Sequence, residues 1–181
     1  HLGTRLGLVD GVVSALGQIF ERWDGRGWPN RAAGEGILVT TRIARSLAEV
    51  DAAQWNALIG DGAPFLRHEF LLALEESGCA TTATGWDARH LLHFDGAGRL
   101  AGAMPLYLKP HSWGEFVFDF AWAEAYHHAG LRYYPRLVSA VPFTPASGSR
   151  LLAEGGQARS ALLEAARALG SAAGASSPAC A

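Results

Sequence analysis

Lysine is almost missing from this chain: Lys109 stands alone against fourteen arginines. Alanine is abundant as well, and the two biases together read as GC-rich coding, so surface arginines carry little functional information. Basic charge is not in excess, with 15 Lys+Arg facing 17 Asp+Glu for a formal net charge of -2. A chain with no net basic field has little to hold a polyanion by electrostatics, which disfavours stand-alone nucleic-acid binding and makes any RNA contact a local one. Cysteine is scarce too. Cys79 and Cys180 lie far apart, without CxxC or Cys/His spacing, which excludes a disulfide framework and a zinc site and fits a reducing cytoplasm. Long apolar runs are absent: the most hydrophobic stretch near the start, Leu6 to Phe20, is interrupted by Asp10 and Gln18. Neither a membrane span nor a signal peptide is predicted. Met104 is the only methionine and the chain opens on His1, which reads as a fragment or a processed product.

What is present suits a folded domain. Hydrophobic residues make up 49% and charged residues 18% of 181 positions. That length serves one domain, or a domain with an appendage, and can bury roughly 70% of its unfolded surface. Leu2 to Trp23 reads as a weakly amphipathic helix, and the Gly-, Pro- and Arg-rich stretch from Asp24 to Gly36 as a linker. The β-branched run at residues 37–43 predicts a strand, with Ser46 as a turn or cap residue. Asp51 caps a short helix carrying Trp55 and Leu58, and Phe65 to Ser77 has apolar residues at helical spacing with Gly78 as the stop. Residues 81–94 and 100–109 flank the Gly-rich turn at Asp95 to Gly98 and predict an antiparallel pair. Phe116 to Phe120 is expected to extend the sheet, Ala121 to Ala129 to form a helix, Leu137 to Phe143 a strand, and Gln157 to Leu169 an amphipathic helix. The predicted architecture is α+β, with helices on a mainly antiparallel sheet. The tail from Ser171 has nothing large to bury and is expected to fray.

One stretch does not look like an ordinary strand. Pro105 to Asp119, PLYLKPHSWGEFVFD, packs polar groups among aromatics and is followed by Trp122-Ala123 and by Tyr133-Tyr134-Pro135-Arg136-Leu137. Together with Pro64 to Leu71, Leu74-Glu75 and Pro142 to Leu152, these motifs closely resemble a bacterial family of Fem-like (FemAB-like) proteins linked to peptidoglycan biosynthesis and GNAT-type N-acyl transfer. The resemblance runs from about residue 37 to residue 177. It implies a GNAT-like fold for residues 37–177, with residues 1–36 as an extension and linker and 178–181 as a divergent tail where a strand should follow the last helix. Family members resemble tandem GNAT-like folds, so this chain resembles the first half and would lack its second half-domain. Family members usually carry lysine where Arg136 stands.

The resemblance implies transfer of an acyl or aminoacyl group, from coenzyme A or tRNA as donor substrate, to an amine of a cell-wall precursor, in the cytoplasm and with no bound cofactor. In such a transfer an amine attacks a carbonyl while a carboxylate removes a proton. Glu115 and Asp119 are the candidate bases, placed on one face if Glu115 to Asp119 is a strand. Tyr107, Lys109 and His111 alternate onto one face if the strand persists through Pro110: a phenol to reprotonate a leaving group, an ammonium to hold a phosphate or carboxylate, and an imidazole. Trp122, Tyr133, Tyr134 and Arg136 are candidates for a sugar-peptide groove. Gly148, Ser149 and Arg150 sit where a GNAT fold carries its phosphate-binding loop, Gly148 permitting close backbone approach and Arg150 pairing with phosphate. A Ser112/His111 nucleophile is disfavoured because neighbouring strand residues point oppositely. Glu124 and His127 have metal-ligand spacing but too few companions. Two other readings compete: a non-catalytic peptide or glycan recognition module, and an inactive fragment.

Overall fold

The computed structural model describes residues 41–116, 119–176 and 178–180. The predicted helix at Leu2 to Trp23, the linker, and the first four residues of the predicted strand at 37–43 lie outside them. The chain divides before Thr41, and residues 41–181 form one compact unit.

Its frame is a long hairpin. One arm runs through β2 (Asp87–Ala88) and β3 (His90–Phe94), the other through β4 (Leu100–Met104) and β5 (Tyr107–Lys109). The register is the same on both sides of the interruption: Asp87 faces Leu108 and Ala88 faces Tyr107, then Leu91 faces Met104 and Leu92 faces Ala103. Pro105 causes the break, because it has no N–H for the ladder. Arg89 N still donates to Leu106 O at 2.8 Å, and Leu106 N turns to His90 Nδ1 at 3.3 Å. Either side of the break, different strands join. β1 (Thr41–Ala44) pairs with β3 and β7 (Leu152–Ala153) with β4, giving the order β1-β3-β4-β7. β6 (Arg136–Ser139) pairs antiparallel with β5, and β8 (Pro178–Cys180) lies parallel to β6, giving β2-β5-β6-β8. The fold is therefore mixed α+β, with mainly antiparallel sheets. The strand that follows the last helix is present at 178–180, where a frayed, divergent tail was expected.

Both faces of the hairpin are covered, so successive residues serve opposite cores. Leu92, Leu100 and Ala103 pack with Trp55 of α1 (Ala52–Ala57), with Leu71 of α2 (His68–Glu76) and with Leu66. Leu91, Met104 and Leu106 pack with Leu137 and with Leu162 and Ala166 of α4 (Gly156–Ala172). Gly102 lets α4 approach: a Cβ there would stand 3.0 Å from Leu162 Cδ1 and 3.3 Å from Ala158 Cβ. Asp51 caps α1 by accepting from Gln54 N at 2.8 Å, as its residue type predicts. α2 is pinned through Glu75, which accepts from Ser46 Oγ at 2.7 Å and Leu47 N at 3.0 Å and meets the buried His90 Nε2 at 2.9 Å.

Three expectations are corrected. Residues 81–94 are not one strand, because Thr81 and Thr84 cap each other around a 3-10 turn and Gly85, at φ 79, turns the chain before Asp87. The run 100–109 is split between two sheets at Pro105. Of the strand expected at Phe116 to Phe120, residues 117 and 118 lie outside the described residues, and its two ends are not in a sheet: Phe116 lies in a bend and Phe120 opens α3 (Phe120–His128). α3 itself buries no residue. Among the described residues no helix is long and apolar enough to cross a membrane.

Candidate functional site

β5 ends at Lys109, and Pro110 then stops the ladder and sends the chain into the turn Ser112 to Glu115. Gly114 makes that turn possible. Its φ is 81, and a Cβ there would lie 2.5 Å from Phe143 Cε1 and 2.9 Å from Trp86 Nε1, so only a bare backbone can lie against this aromatic pair. Phe143 adopts φ 55, a region costly for a bulky residue, and its N–H donates to Gly114 O at 3.2 Å. The turn lands on Arg136, whose place at the start of β6 opposite Lys109 is fixed by the register of β5 and β6.

Two acids and two bases meet there. Arg136 Nη2 binds Glu115 Oε2 in a tight contact and Asp119 Oδ2 at 2.7 Å. Lys109 Nζ lies 3.8 Å from Glu115 Oε1, which makes no hydrogen bond. Lys109 is fully buried, its ammonium 3.5 Å above the Trp86 ring and donating to Trp113 O at 3.0 Å and Gly85 O at 3.3 Å. Asp119 is saturated with donors: Ser112 Oγ and Tyr134 OH (3.2 Å) reach Oδ1, and Tyr133 OH reaches Oδ2 at 2.7 Å. The strand premise that put Glu115 and Asp119 on one face fails, yet Arg136 brings both carboxylates together.

Their environments push the groups apart. Burial raises the Glu115 carboxyl above its ordinary value, against the opposing pull of Arg136 and Lys109. Burial acts the same way on Asp119, but the Ser112, Tyr133 and Tyr134 hydroxyls and Arg136 outweigh it and hold that carboxyl low. Burial pulls the Lys109 ammonium down to about 8, with Glu115 opposing and Arg136 adding to the effect. The Tyr133 phenol is pushed up to about 12 by burial and by its bond to Asp119. The two carboxyls are thus shifted in opposite directions, Glu115 upward and Asp119 downward.

Beside Glu115 opens a cavity of about 280 Å³, walled by Trp86, Gly114, Phe116, Val141, Pro145 and Arg150 among others. The predicted phosphate loop forms one side of it. Arg150 is folded back onto its own loop, its guanidinium donating to Ala146 O and Gly148 O, and Ser149 Oγ donates to Leu151 O at 3.1 Å. That loop leads into β7 and not directly into α4, so it lacks the helix N-terminus that the phosphate-loop expectation needs.

Of the other predicted site residues, Tyr107 is misplaced: it is fully buried against Trp86 and His90 inside the hairpin, its hydroxyl without a partner, and burial raises its phenol further from use. His111 leaves the strand face after Pro110 and packs against Gly85, and a Cβ on Gly85 would stand 2.3 Å from its ring. Trp122 is 67% exposed on α3 and takes no part in the cluster. Ser112 is the residue that sequence reasoning passed over. Strand alternation separated it from its neighbours, but Pro110 ends the strand, and a buried hydroxyl between Asp119 and Tyr134 results. Among the described residues no group of three or more His, Cys, Asp and Glu side chains is arranged to hold a metal ion, and Glu124 is instead 3.6 Å from the exposed His128.

Fold and site together define a mixed α+β domain with a buried, charge-balanced cluster at the edge of a small cavity. A family model matches residues 46–181, and the chain belongs to that family, the FemAB-like proteins of peptidoglycan biosynthesis or recognition. No curated protein and no solved structure matches the chain.

Proposed function

We propose that this domain acts on a peptidoglycan precursor by N-acyl transfer, with Glu115 as the base. The carrying observation is a carboxylate whose proton affinity is raised by burial, standing on the wall of a cavity and braced by Lys109 and Arg136. In this reading the precursor's amine nitrogen attacks the acyl carbonyl of a thioester or ester donor. The C–N bond forms, the C–S or C–O bond breaks, the amine proton passes to Glu115, and the leaving thiolate or alkoxide takes a proton from solvent. Asp119 stays ionised and holds Arg136, Tyr133 and Tyr134 in place. Acyl-coenzyme A and aminoacyl-tRNA are both donors of the required chemistry, and the net charge of -2 favours the smaller one.

A second reading, recognition of the precursor without transfer, is favoured by the saturation of both carboxylates with cationic and hydroxyl partners. One assay separates the two. The chain is mixed with acetyl-coenzyme A and a muropeptide bearing a free diamino-acid amine, and thiol release is followed alongside muropeptide binding. Transfer predicts thiol release that needs both substrates. Muropeptide binding with no release from acetyl-coenzyme A, and no transfer from aminoacyl-tRNA, overturns transfer in favour of recognition.

A further inference from the structure

Among the described residues, Arg150 is a buried cation on the cavity wall with no anion paired to it. It is 8% exposed, and its terminal nitrogens are held by Ala146 O and Gly148 O of its own loop. Its Nε has no hydrogen-bond partner, and among the described residues no carboxylate lies within ion-pair distance. Glu115, on the same wall, is already taken by Arg136 and Lys109. A buried guanidinium with no counter-ion is costly unless something completes it. The space beside it is open, small and mostly apolar, bounded by Trp86, Phe116, Val141 and Pro145, with the exposed Ser147 hydroxyl also on the wall.

We propose that the cavity binds a carboxylate with a compact apolar body, an N-acylated amino acid or the carboxyl end of a peptide, with Arg150 as its counter-ion. The chemistry selects a carboxylate over a phosphate. Two of the guanidinium's five N–H groups are engaged by carbonyls and Nε is closed off from solvent, which leaves one N–H on each terminal nitrogen; with a single positive charge in a mostly apolar space, Arg150 can balance a singly charged carboxylate but not a phosphate dianion. The apolar walls suit an aliphatic or aromatic side chain, and about 280 Å³ limits the ligand to roughly one residue. This names a ligand class for the cavity on which the transfer reading rests.

Trp86 lies in the wall, so binding to the full chain is read by tryptophan fluorescence and by the urea midpoint, with N-acetyl-leucine, N-acetyl-leucinamide and inorganic phosphate as probes. N-acetyl-leucine should raise the midpoint with concentration, the amide should bind about tenfold or more weakly, and phosphate should have no effect. Arg150→Gln should erase the preference for the acid, and Arg150→Lys should keep part of it. Since Arg150 also holds its loop, the acid-against-amide comparison on the wild-type chain decides the matter if Arg150→Gln does not fold. Equal binding of acid and amide, binding of phosphate in place of the acid, or no binding of either organic probe overturns the proposal. Acid-selective binding by a chain with no turnover overturns transfer and leaves this site standing.

Discussion

Asp119 is 4% exposed and accepts from Ser112, Tyr133, Tyr134 and Arg136, so its loss leaves the Tyr133 hydroxyl, one of the mutually bonded Ser112 and Tyr134 hydroxyls, and half of a guanidinium's pairing without an acceptor. Asp119→Ala should cost about 3 kcal/mol in urea unfolding, at the lower end for breaking a buried pair because Glu115 still holds Arg136. The folded-state affinity of Asp119 for a proton is depressed, so it stabilises the fold above its ordinary value of 3.8, and that contribution is lost as pH falls through the lower folded value. Asp119→Asn should flatten this acid limb; an unchanged limb would assign it to other carboxylates. Lys109 carries the opposite sign. Its folded value of about 8 lies below its ordinary 10.5, so the unfolded chain binds more protons between them and stability should rise from pH 8 toward pH 10. Lys109→Met should remove that rise, as measured by the urea midpoint at stepped pH. Glu115, Asp119, Lys109, Tyr133, Tyr134 and Arg136 stand out in the sequence as polar residues among aromatics in a motif-rich stretch, but their arrangement does not: Tyr133, Tyr134 and Arg136, expected to line a groove, bind the carboxylates. Ser112 does not stand out, since a hydroxyl becomes informative only when a turn buries it.

At the scale of elements, the turn from Ser112 to Glu115 is the part on which the site depends. Gly114→Ala adds a methyl group into the ring of Phe143 and forces φ 81 on a residue with a Cβ. It should destabilise the domain by about 1–3 kcal/mol and loosen Glu115 from Arg136, seen as a lower urea midpoint. An unchanged midpoint would show that the turn moves freely off Trp86. Hydrophobic periodicity announced α2 and α4 and the caps at Asp51 and Ser46, because those elements satisfy themselves locally. The hairpin's division did not follow from alternation. It comes from one missing N–H at Pro105 and from which strands compete for the open edges on either side, a long-range matter. The strand reading fails at Phe116 and Phe120 for a related reason: alternating aromatics satisfy a period of two, whereas Phe116 lies in a bend and Phe120 opens α3, with Phe120 and Trp122 in solvent.

For the whole molecule, the two cores on opposite faces share the hairpin, and α4 crosses onto both sheets, so the unit from Thr41 onward should unfold in one cooperative step. The fully buried Trp55 reports on the first of these cores and Trp86 on a further cluster with Ala80, Ala88 and Tyr107, and a tryptophan fluorescence transition that splits in two would contradict a shared frame. The family and the mixed α+β class were readable because long ordered motifs carry them, but the cavity was not, since it is made by segments around residues 86, 115 and 145 that meet only in the fold. The proposed role of this meeting place is acyl transfer through Glu115. Its most direct test is the rate of acyl transfer to a muropeptide amine, followed by mass spectrometry, for the wild-type chain against Glu115→Gln, with the urea midpoint measured on both. A kcat lower by about 10²- to 10⁴-fold is expected in the variant, with folding retained. Equal turnover by two equally folded proteins would contradict it.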